Sequence, residues 1–186
     1  KYPNLEVILS GSNLGYGAGN NKGINLAKTR YVLISNPDVI YENDFFSNLK
    51  TYIDRNTDFS IIGPIYRSED YASHGFFDDL KKENFSNDTA VDKNLLEAHW
   101  IVGCTMIIDL DKFDNKNLFD ENFFLFFEEI DLCKRIKTNG GYIYSSKKLI
   151  INHFGEKGSF ATNPKLKLDY IKLRNWHLMW SSFYFQ

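Results

Sequence analysis

The densest group of residues that could do chemistry is an acidic pair behind a run of phenylalanines. Glu128 and Glu129 follow the aromatic stretch Phe123–Phe127 and open a segment with helical spacing. A helix N-terminus favours negative charge, and burial beside aromatic rings raises a carboxyl pKa toward the range of a general base. Taken alone, the pattern more often indicates acidic capping beside core aromatics. Asp131 and Arg135, at i, i+4 spacing, are expected to form a structural ion pair.

Two residues at predicted strand ends could hold a divalent cation. Asp38, in the motif Asn36-Pro37-Asp38, follows the apolar run Tyr31–Ser35. Open α/β sheets bind ligands at the carboxyl ends of parallel strands, where a carboxylate can hold a cation that neutralises a diphosphate. The neutral imidazole of His153 could complete this site. A turn aspartate that caps the next helix and a structural histidine are the alternatives.

A glycine- and asparagine-rich motif spans Asn13–Gly23. Alternate glycines allow a ligand to approach the backbone closely, and a helix that follows them favours anions. A dinucleotide fingerprint with Asp38 as its acid is a weaker interpretation, because Asn20 occupies the third glycine position and several residues separate the preceding strand from Gly15. A tight loop that caps a helix is the structural alternative.

The segment Lys165–Arg174 gives a basic face to an amphipathic helix that also carries Trp176 and Trp180. Such a helix could contact a membrane surface or acceptor phosphates. We expect instead that it packs across the sheet and leaves its lysines solvated.

The elements that must position these residues alternate along the first third of the chain. Apolar runs predict strands, and residues with helical spacing separate them. The predicted strands are Leu5–Leu9, Tyr31–Ser35 and Phe59–Ile65, and the predicted helices are Asn20–Arg30 and Phe45–Arg55, with a loop at Ser10–Asn21. This order predicts an α/β fold with a parallel sheet and right-handed crossovers.

The rest of the chain continues the alternation after an interruption. Residues 66–98 are polar and without a sustained period, which predicts a variable insertion or loop. Beyond them we expect a strand at Trp100–Asp109, a helix at Phe127–Asn139, two short strands at Tyr142–Ser146 and Leu149–His153, and a final helix over residues 163–185.

Composition excludes several classes of protein. The 186 residues are 43% hydrophobic with a net charge of −2, which indicates one folded domain over residues 1–186 without a field that would recruit nucleic acid. Two cysteines cannot form a disulfide scaffold, so a reduced, cytoplasmic chain is expected. The sequence shows no run long enough for a membrane span and no leader. Lys1 in place of Met suggests a fragment or a processed product.

Taken in order, these motifs resemble those of family 2 glycosyltransferases, most closely the rhamnosyltransferase-like enzymes of bacterial polysaccharide synthesis. The resemblance runs from about Asn13 to Ser159 and resumes at Arg174-Asn175. Each motif is weak alone, and the ordered set is specific. The motifs are N-x-G-Y-G-x-G-N-N-x-G-I, N-P-D-V, W-x-V-G-C-x-M, F-D-E-x-F-F-L-F-F-E-E-I-D-L-C-x-R and H-F-G-x-x-G-S.

The resemblance implies a GT-A fold with a mostly parallel central sheet, and inverting transfer of a sugar from a nucleotide diphosphate with Mn²⁺ or Mg²⁺. It assigns the general base to Glu129, with Glu128 as the fallback, and the metal to Asp38 and His153. The implied donor-binding residues are Asn13, Gly15, Gly17, Asn20, Asn21 and Asp38. The implied sugar or acceptor pocket contains Trp100, Gly103, Cys104 and Asp131.

Family members begin with a strand–helix–strand unit that holds the nucleotide, and this sequence starts just after it. The sheet is therefore expected to have an exposed apolar edge that could pair with a second copy. Expected partners are a nucleotide-diphosphate sugar and a glycan or lipid-linked acceptor, with peripheral contact at the inner face of the plasma membrane and no nucleic acid. The alternatives are a truncated, non-catalytic binding module and, less favoured, a nucleotide-dependent oxidoreductase.

Overall fold

The computed structural model describes residues 4–66, 92–153 and 164–186. These ranges contain four α-helices and six strands. In chain order they are α1 (Tyr16–Leu26), β1 (Tyr31–Ser35), β2 (Val39–Tyr41), α2 (Phe45–Asp54), β3 (Ile61–Tyr66), β4 (Leu95–Glu97), β5 (Thr105–Asp109), α3 (Glu128–Thr138), β6 (Ile143–His153) and α4 (Pro164–Tyr184), with a short 3-10 helix at Leu110–Lys112 after β5.

The six strands form one sheet in the order β1-β5-β3-β6-β2, and β4 also pairs with β6. β4 lies along the start of β6 and β2 along its end, so both short strands flank the same side of β6. Since β1 and β3 both run antiparallel to β5, and β3 runs parallel to β6, the strands β1, β3 and β6 share one direction. Their carboxyl ends therefore point to the same edge.

The sheet has a hydrophobic core on each face. Side chains alternate along β5, so that Met106 and Ile108 join one core while Ile107 joins the other. The first core also takes Ile24 from α1 and Leu132 from α3. The second takes Phe45, Leu49 and Tyr52, the buried face of α2. The sheet thus lies between α1 and α3 on one face and α2 on the other.

The α/β class and the central sheet agree with the prediction, but the strand directions do not. β3 with β6 is the single parallel pair among the five pairings of the described residues. The prediction of a mostly parallel sheet is wrong for this reason: β5 lies between β1 and β3, so these two strands, which were expected to pair in parallel, are not neighbours. Pairing between strands that are distant in sequence leaves no local pattern.

Several predicted boundaries are corrected. Leu5–Leu9 is not a strand, and its apolar side chains are exposed, because no described strand lies beside it to complete the backbone hydrogen bonds. α1 begins at Tyr16, inside the predicted loop. The two last predicted strands are one strand, β6, whose pairing with β3 shifts register between Pro64 and Ile65.

Strand β5 begins at Thr105 rather than Trp100, and the preceding residues are buried without strand pairing. The predicted insertion at residues 66–98 is shorter at both ends, because Tyr66 closes β3 and Leu95–Glu97 form β4. Its remainder, residues 67–91, lies outside the described residues, as does Phe154–Ser159 of the last motif. Cys104 and Cys133 are both buried, and neither forms a disulfide. No helix in the described ranges combines the length and apolar character that a membrane span requires.

Candidate active site

Strand pairing brings Asp38 and His153 together. β2 runs antiparallel to β6 with Val39 opposite His153, so Asp38, the residue before Val39, lies beside the last residue of β6. The His153 Nε2 is 3.2 Å from an Asp38 carboxylate oxygen. Both side chains are largely buried, with 8% of His153 and 23% of Asp38 exposed. One carboxylate and one imidazole therefore meet at the carboxyl edge shared by β1 and β6.

The chemistry of this pair fits a divalent cation that the substrate helps to bind. No cluster of three or more acidic, histidine or cysteine side chains suited to a metal occurs in the described part of the chain. Mg²⁺ in phosphate-transfer sites is commonly held by one or two carboxylates together with substrate phosphates, and carboxylate ligands also suit Mn²⁺. Asp38 and His153 would supply two ligands of such a site, and diphosphate oxygens and water would supply the others.

The acidic pair lies at the start of α3, after two strained residues. Phe126 and Phe127 both have left-handed backbones, with φ of 70° and 68°. Bulky residues adopt this conformation only where surrounding contacts hold them in it. The chain consequently turns sharply into α3 and presents Glu128 and Glu129 in its first turn.

The two carboxyls face different surroundings. Glu128 is buried, with 4% exposed, and its Cβ lies beside Gly17 of α1. Glu129 is only partly buried and interacts with the backbone amide of Gly103. The Oε2 atom of each carboxyl is shielded from solvent and has no hydrogen-bond partner within the described ranges. Glu129 is thus the more accessible of the pair.

Burial makes both carboxyls weak acids. Desolvation raises the pKa of Glu129 to about 7, and the backbone amides of Glu129 and Gly103 offset part of the increase. Desolvation and then the charge of Glu129 raise the pKa of Glu128 to about 9. The two groups titrate as a pair that retains a proton at neutral pH. A carboxylate with a raised pKa is a stronger base than an ordinary glutamate, which suits proton abstraction.

The backbone at Gly103 and Cys104 joins the acidic pair to the strand-end pair. The Cys104 carbonyl accepts a 2.8 Å hydrogen bond from the Asn36 amide. Asp38 follows Asn36 by two residues, which span at most about 7 Å. On the other side, Gly103 contacts Glu129. Both groups of candidate residues are therefore connected to the same backbone segment.

Tyr16 completes this junction and was not among the predicted site residues. Its hydroxyl donates a hydrogen bond to the Gly103 carbonyl. A Cβ at Gly103 would lie 3.0 Å from that hydroxyl, so a side chain at this position would push against the ring. Burial and the charges of Glu129 and Glu128 raise the pKa of Tyr16 well above its usual value, which keeps the hydroxyl protonated. Nothing in the local sequence distinguishes Tyr16 from a core tyrosine.

The predicted donor-binding glycines contact protein backbone in this structure. Gly15 has a φ of 82°, and a Cβ there would lie 2.3 Å from the Phe124 carbonyl oxygen. The next residue, Tyr16, donates its amide to that same carbonyl at 2.9 Å. Gly17 faces Phe119, at 3.0 Å from a built Cβ, and Glu128. These two glycines allow α1 to approach the segment that leads into the acidic pair.

The predicted donor-binding asparagines take different positions. Asn13 caps the turn by accepting the Gly15 amide at 3.0 Å, and Asn20 donates to the Tyr16 carbonyl at 2.9 Å. Asn21 is 1% exposed, accepts the Phe119 amide, and donates to the Phe119 carbonyl and to Glu121. Its amide group is fully used, so we assign Asn21 to joining α1 with residues 119–121.

A surface cavity of about 250 Å³ is lined by Asn13 and Gly15 together with Ile8 and Lys22. Neither Asp38 nor Glu129 lines it. Contact of a donor with Asn13 and Gly15 stays a prediction.

Three predicted pocket residues are mostly enclosed. Trp100 and Cys104 are 6% and 3% exposed and belong to the cores on opposite faces of the sheet. Asp131 accepts a 2.8 Å hydrogen bond from Arg135, which confirms the predicted i, i+4 ion pair. Gly103 is the predicted pocket residue that contacts Glu129.

Comparison with known proteins adds an independent line of evidence. Residues 1–116 match the family described as Glycosyl transferase family 2. Rhamnosyltransferase WbbL of Escherichia coli K12 is 26% identical over 75% of this chain, and the match covers 60% of that protein. The low-salt glycan biosynthesis hexosyltransferase Agl10 of Haloferax volcanii is 28% identical over 73% of this chain and 47% of its own length.

A third relative, the N-acetylglucosaminyl-diphospho-decaprenol L-rhamnosyltransferase of Mycobacterium tuberculosis, is 24% identical over 97% of this chain and 70% of its own length. The matched region spans less than two thirds of the first two relatives.

The hydrogen bonds of Asn21 predict a specific loss of stability. Asn21→Ala leaves the buried amide and carbonyl of Phe119 without partners, which should lower the free energy of unfolding by about 3 kcal/mol. Asn25→Ala, the same change one turn later on the same helix, removes bonds at an exposed side chain and should cost less than about 1 kcal/mol. Urea unfolding of both variants measures the difference, and equal losses would contradict the assignment.

The buried acidic pair predicts how stability depends on pH. The native pKa values lie above the usual 4.5 of glutamate, so the native state binds more protons than the unfolded state above that pH. Stability should therefore fall as pH rises from 5 to 8. Glu128→Gln removes part of this loss of stability. The difference in free energy of unfolding between the variant and wild type should therefore be at least about 1 kcal/mol more favourable to the variant at pH 8 than at pH 5.

Unfolding at both pH values tests this expectation. Glu6→Gln, at an exposed carboxyl, serves as the control and should show no such difference. A pH-independent effect of Glu128→Gln would show that its carboxyl titrates normally in the folded protein.

Proposed function

The chain belongs to glycosyl transferase family 2, and from this premise we propose that it transfers a sugar, with inversion, from a nucleotide diphosphate to a hydroxyl group of a glycan or lipid-linked acceptor. The observation that carries the proposal is the junction at Gly103 and Cys104. It connects the weakly acidic carboxyl of Glu129 through backbone contacts to the segment that carries Asp38, and Asp38 forms with His153 a carboxylate–imidazole pair suited to a divalent cation.

Glu129 is the proposed general base. Glu129 is less enclosed as a residue than Glu128, which packs against Gly17 of α1, and its carboxyl lies at the Gly103 backbone. The Glu129 carboxylate takes the hydroxyl proton while the acceptor oxygen attacks the anomeric carbon. The bond from that carbon to the diphosphate oxygen breaks on the opposite face. The products are the inverted glycoside, the nucleotide diphosphate and a proton on Glu129.

Asp38 and His153 are the proposed cation ligands. When bound, a Mn²⁺ or Mg²⁺ ion would neutralise the charge of the departing diphosphate. The hydrogen bond between Asn36 and Cys104 keeps Asp38 at a fixed position relative to Glu129. This arrangement separates the two tasks, because Asp38 and His153 serve the leaving group and Glu129 serves the nucleophile.

We propose rhamnose as the sugar, because two of the relatives are named as rhamnosyltransferases. A lipid-linked acceptor is supported by the relative whose name contains a diphospho-decaprenol. The nucleotide base of the donor is not part of this proposal.

Replacing the base should abolish transfer and leave binding intact. Glu129→Gln keeps the size of the side chain but cannot accept the proton, so we expect kcat to fall by at least about 100-fold with little change in donor affinity. Product formation, followed by mass spectrometry, measures kcat, and titration with nucleotide diphosphates measures the donor affinity. Glu128→Gln, the adjacent matched variant, should retain most of the activity. If only Glu128→Gln is inactive, Glu128 is the base instead.

Removing the carboxylate at Asp38 should weaken cation-dependent binding of the donor. We expect thermal stabilisation by UDP, dTDP or GDP to require Mn²⁺ in the wild type and to be lost in Asp38→Ala. Asp44→Ala, at an exposed carboxylate between β2 and α2, should behave as wild type. A wild-type chain that no nucleotide stabilises in the presence of Mn²⁺ would contradict the proposal for this chain.

A further inference from the structure

Helix α4 exposes a broad apolar face. Large side chains that would ordinarily be buried are open to solvent along three turns, and their exposed fractions are 54% for Leu173, 58% for Trp176, 72% for Met179, 44% for Trp180 and 72% for Phe183. The helix was expected to pack across the sheet with its lysines solvated, and the buried side of its described part contacts Phe124 and Leu125. A continuous patch of this kind marks an interaction surface.

The exposed face is ordered, because the opposite side of α4 is anchored. His177 is buried and stacks on Phe124, with ring centroids 4.4 Å apart. The Ser181 hydroxyl donates to the Leu125 carbonyl at 2.8 Å and is fully buried. These contacts set the rotation of α4 and leave the apolar residues facing outward.

Aromatic rings form a ladder along the exposed face. Trp176, Trp180 and Tyr184 recur every four residues, with nearly parallel rings and centroids 6.2 and 6.4 Å apart. Tryptophan and tyrosine combine an apolar ring with one polar group, and they accumulate where lipid tails meet headgroups. The ladder has the chemistry of a bilayer interface.

The charges of α4 complement an anionic surface. Its sequence carries Lys165, Lys167, Lys172 and Arg174 against a single acidic residue, Asp169, and no charged residue follows Arg174. Helical spacing places the exposed Lys172 on the same side as Met179 and Phe183, at seven and eleven residues. By the same spacing the exposed Asp169 lies on the side of Trp176 and Trp180, so it is the excess of basic over acidic residues along the helix that favours an anionic surface.

We propose that α4 docks this face on the surface of an anionic phospholipid bilayer, with the helix axis in the plane of the interface. A second copy of the chain is the less favoured occupant. The face is a ridge on a single helix that bears basic residues, and tryptophan side chains suit headgroups better than a dry protein interface. Docking does not depend on the transferase reaction, and the two are tested separately.

Docking would also orient the candidate active site. The residues that α4 contacts, Phe124 and Leu125, lead directly into Glu128 and Glu129. A bilayer against the outer face of α4 would lie within one helix diameter, about 10 Å, of this segment. If the proposed function holds, a lipid-linked acceptor would present its sugar near Glu129 without leaving the membrane surface.

Sedimentation with lipid vesicles tests the proposal. The full chain is mixed with vesicles of phosphatidylcholine alone or with one third phosphatidylglycerol, and the pelleted fraction gives the partition coefficient. We expect clear binding to the anionic vesicles and at least tenfold weaker binding of Trp176→Ser/Trp180→Ser. Phe46→Ser/Tyr142→Ser removes two aromatic residues of matched exposure, 55% and 46%, from other elements and should bind as wild type.

A charge variant gives a second measurement that keeps every apolar side chain of the face. Lys172→Glu should weaken binding to anionic vesicles by about fivefold or more, because one basic residue near such a surface contributes about 1 kcal/mol. Circular dichroism checks that each variant is folded. Trp176 and Trp180 should also shift to shorter emission wavelengths on binding, whereas Trp100 is already buried.

Three results would overturn the proposal. The first is a wild-type chain that binds neither kind of vesicle. The second is equal loss of binding in the tryptophan variant and its matched control. The third is a concentration-dependent dimer that the tryptophan variant abolishes without vesicle binding, which would assign the face to a second copy. Loss of transfer activity with normal vesicle binding would contradict the proposed function alone.

Discussion

The backbone at Gly103 and Cys104 is the constraint on which the candidate site depends. The Gly103 amide faces Glu129, and the Gly103 carbonyl accepts a hydrogen bond from the Tyr16 hydroxyl. The Cys104 carbonyl accepts one from the Asn36 amide. Three elements that are distant in sequence, α1, α3 and the connection after β1, are held by these contacts. Because β5 follows at once and all five of its residues are buried, the position of this backbone is set by the core of the sheet.

Local pattern accounts for the elements that the sequence predicted well. Tyr31–Ser35 is a strand with the predicted bounds, and α2 lies within one residue of its prediction, because an apolar run and a helical repeat each determine one kind of element. The prediction of a strand at Leu5–Leu9 was wrong because a strand also needs a neighbouring strand to pair with. The position of β5 between β1 and β3 could not be predicted either, since that pairing joins residues more than 40 positions apart and leaves no local signal.

The candidate site was predictable in its residue types but less so in its contacts. Asp38 and His153 do meet, because Asp38 follows β1, His153 is the last residue of β6, and both strands end at the same edge. The glycine motif was interpreted as space for a ligand, and Gly15 instead makes room for the Phe124 carbonyl. Both interpretations rest on the absence of a Cβ, and the sequence does not say which group comes close. Tyr16 and the contacts of α4 with residues 124–125 carried no signal at all.

The left-handed pair Phe126 and Phe127 has a consequence for the order in which the molecule matures. Such residues keep their conformation only while neighbours enforce it, and two of the neighbours come from α4 and the residue after it. The Phe185 and Phe127 ring centroids are 5.4 Å apart, and the Arg174 guanidinium lies 5.4 Å from the centre of the Phe126 ring. α4 is synthesised after the rest of the described chain. When β6 leaves the ribosome, the residues of α4 and beyond that contact the turn before Glu128 have therefore not yet emerged. The sheet can form once β6 has emerged, whereas the contacts of Arg174 and Phe185 with the turn before Glu128 form only after residues 174–185 have emerged.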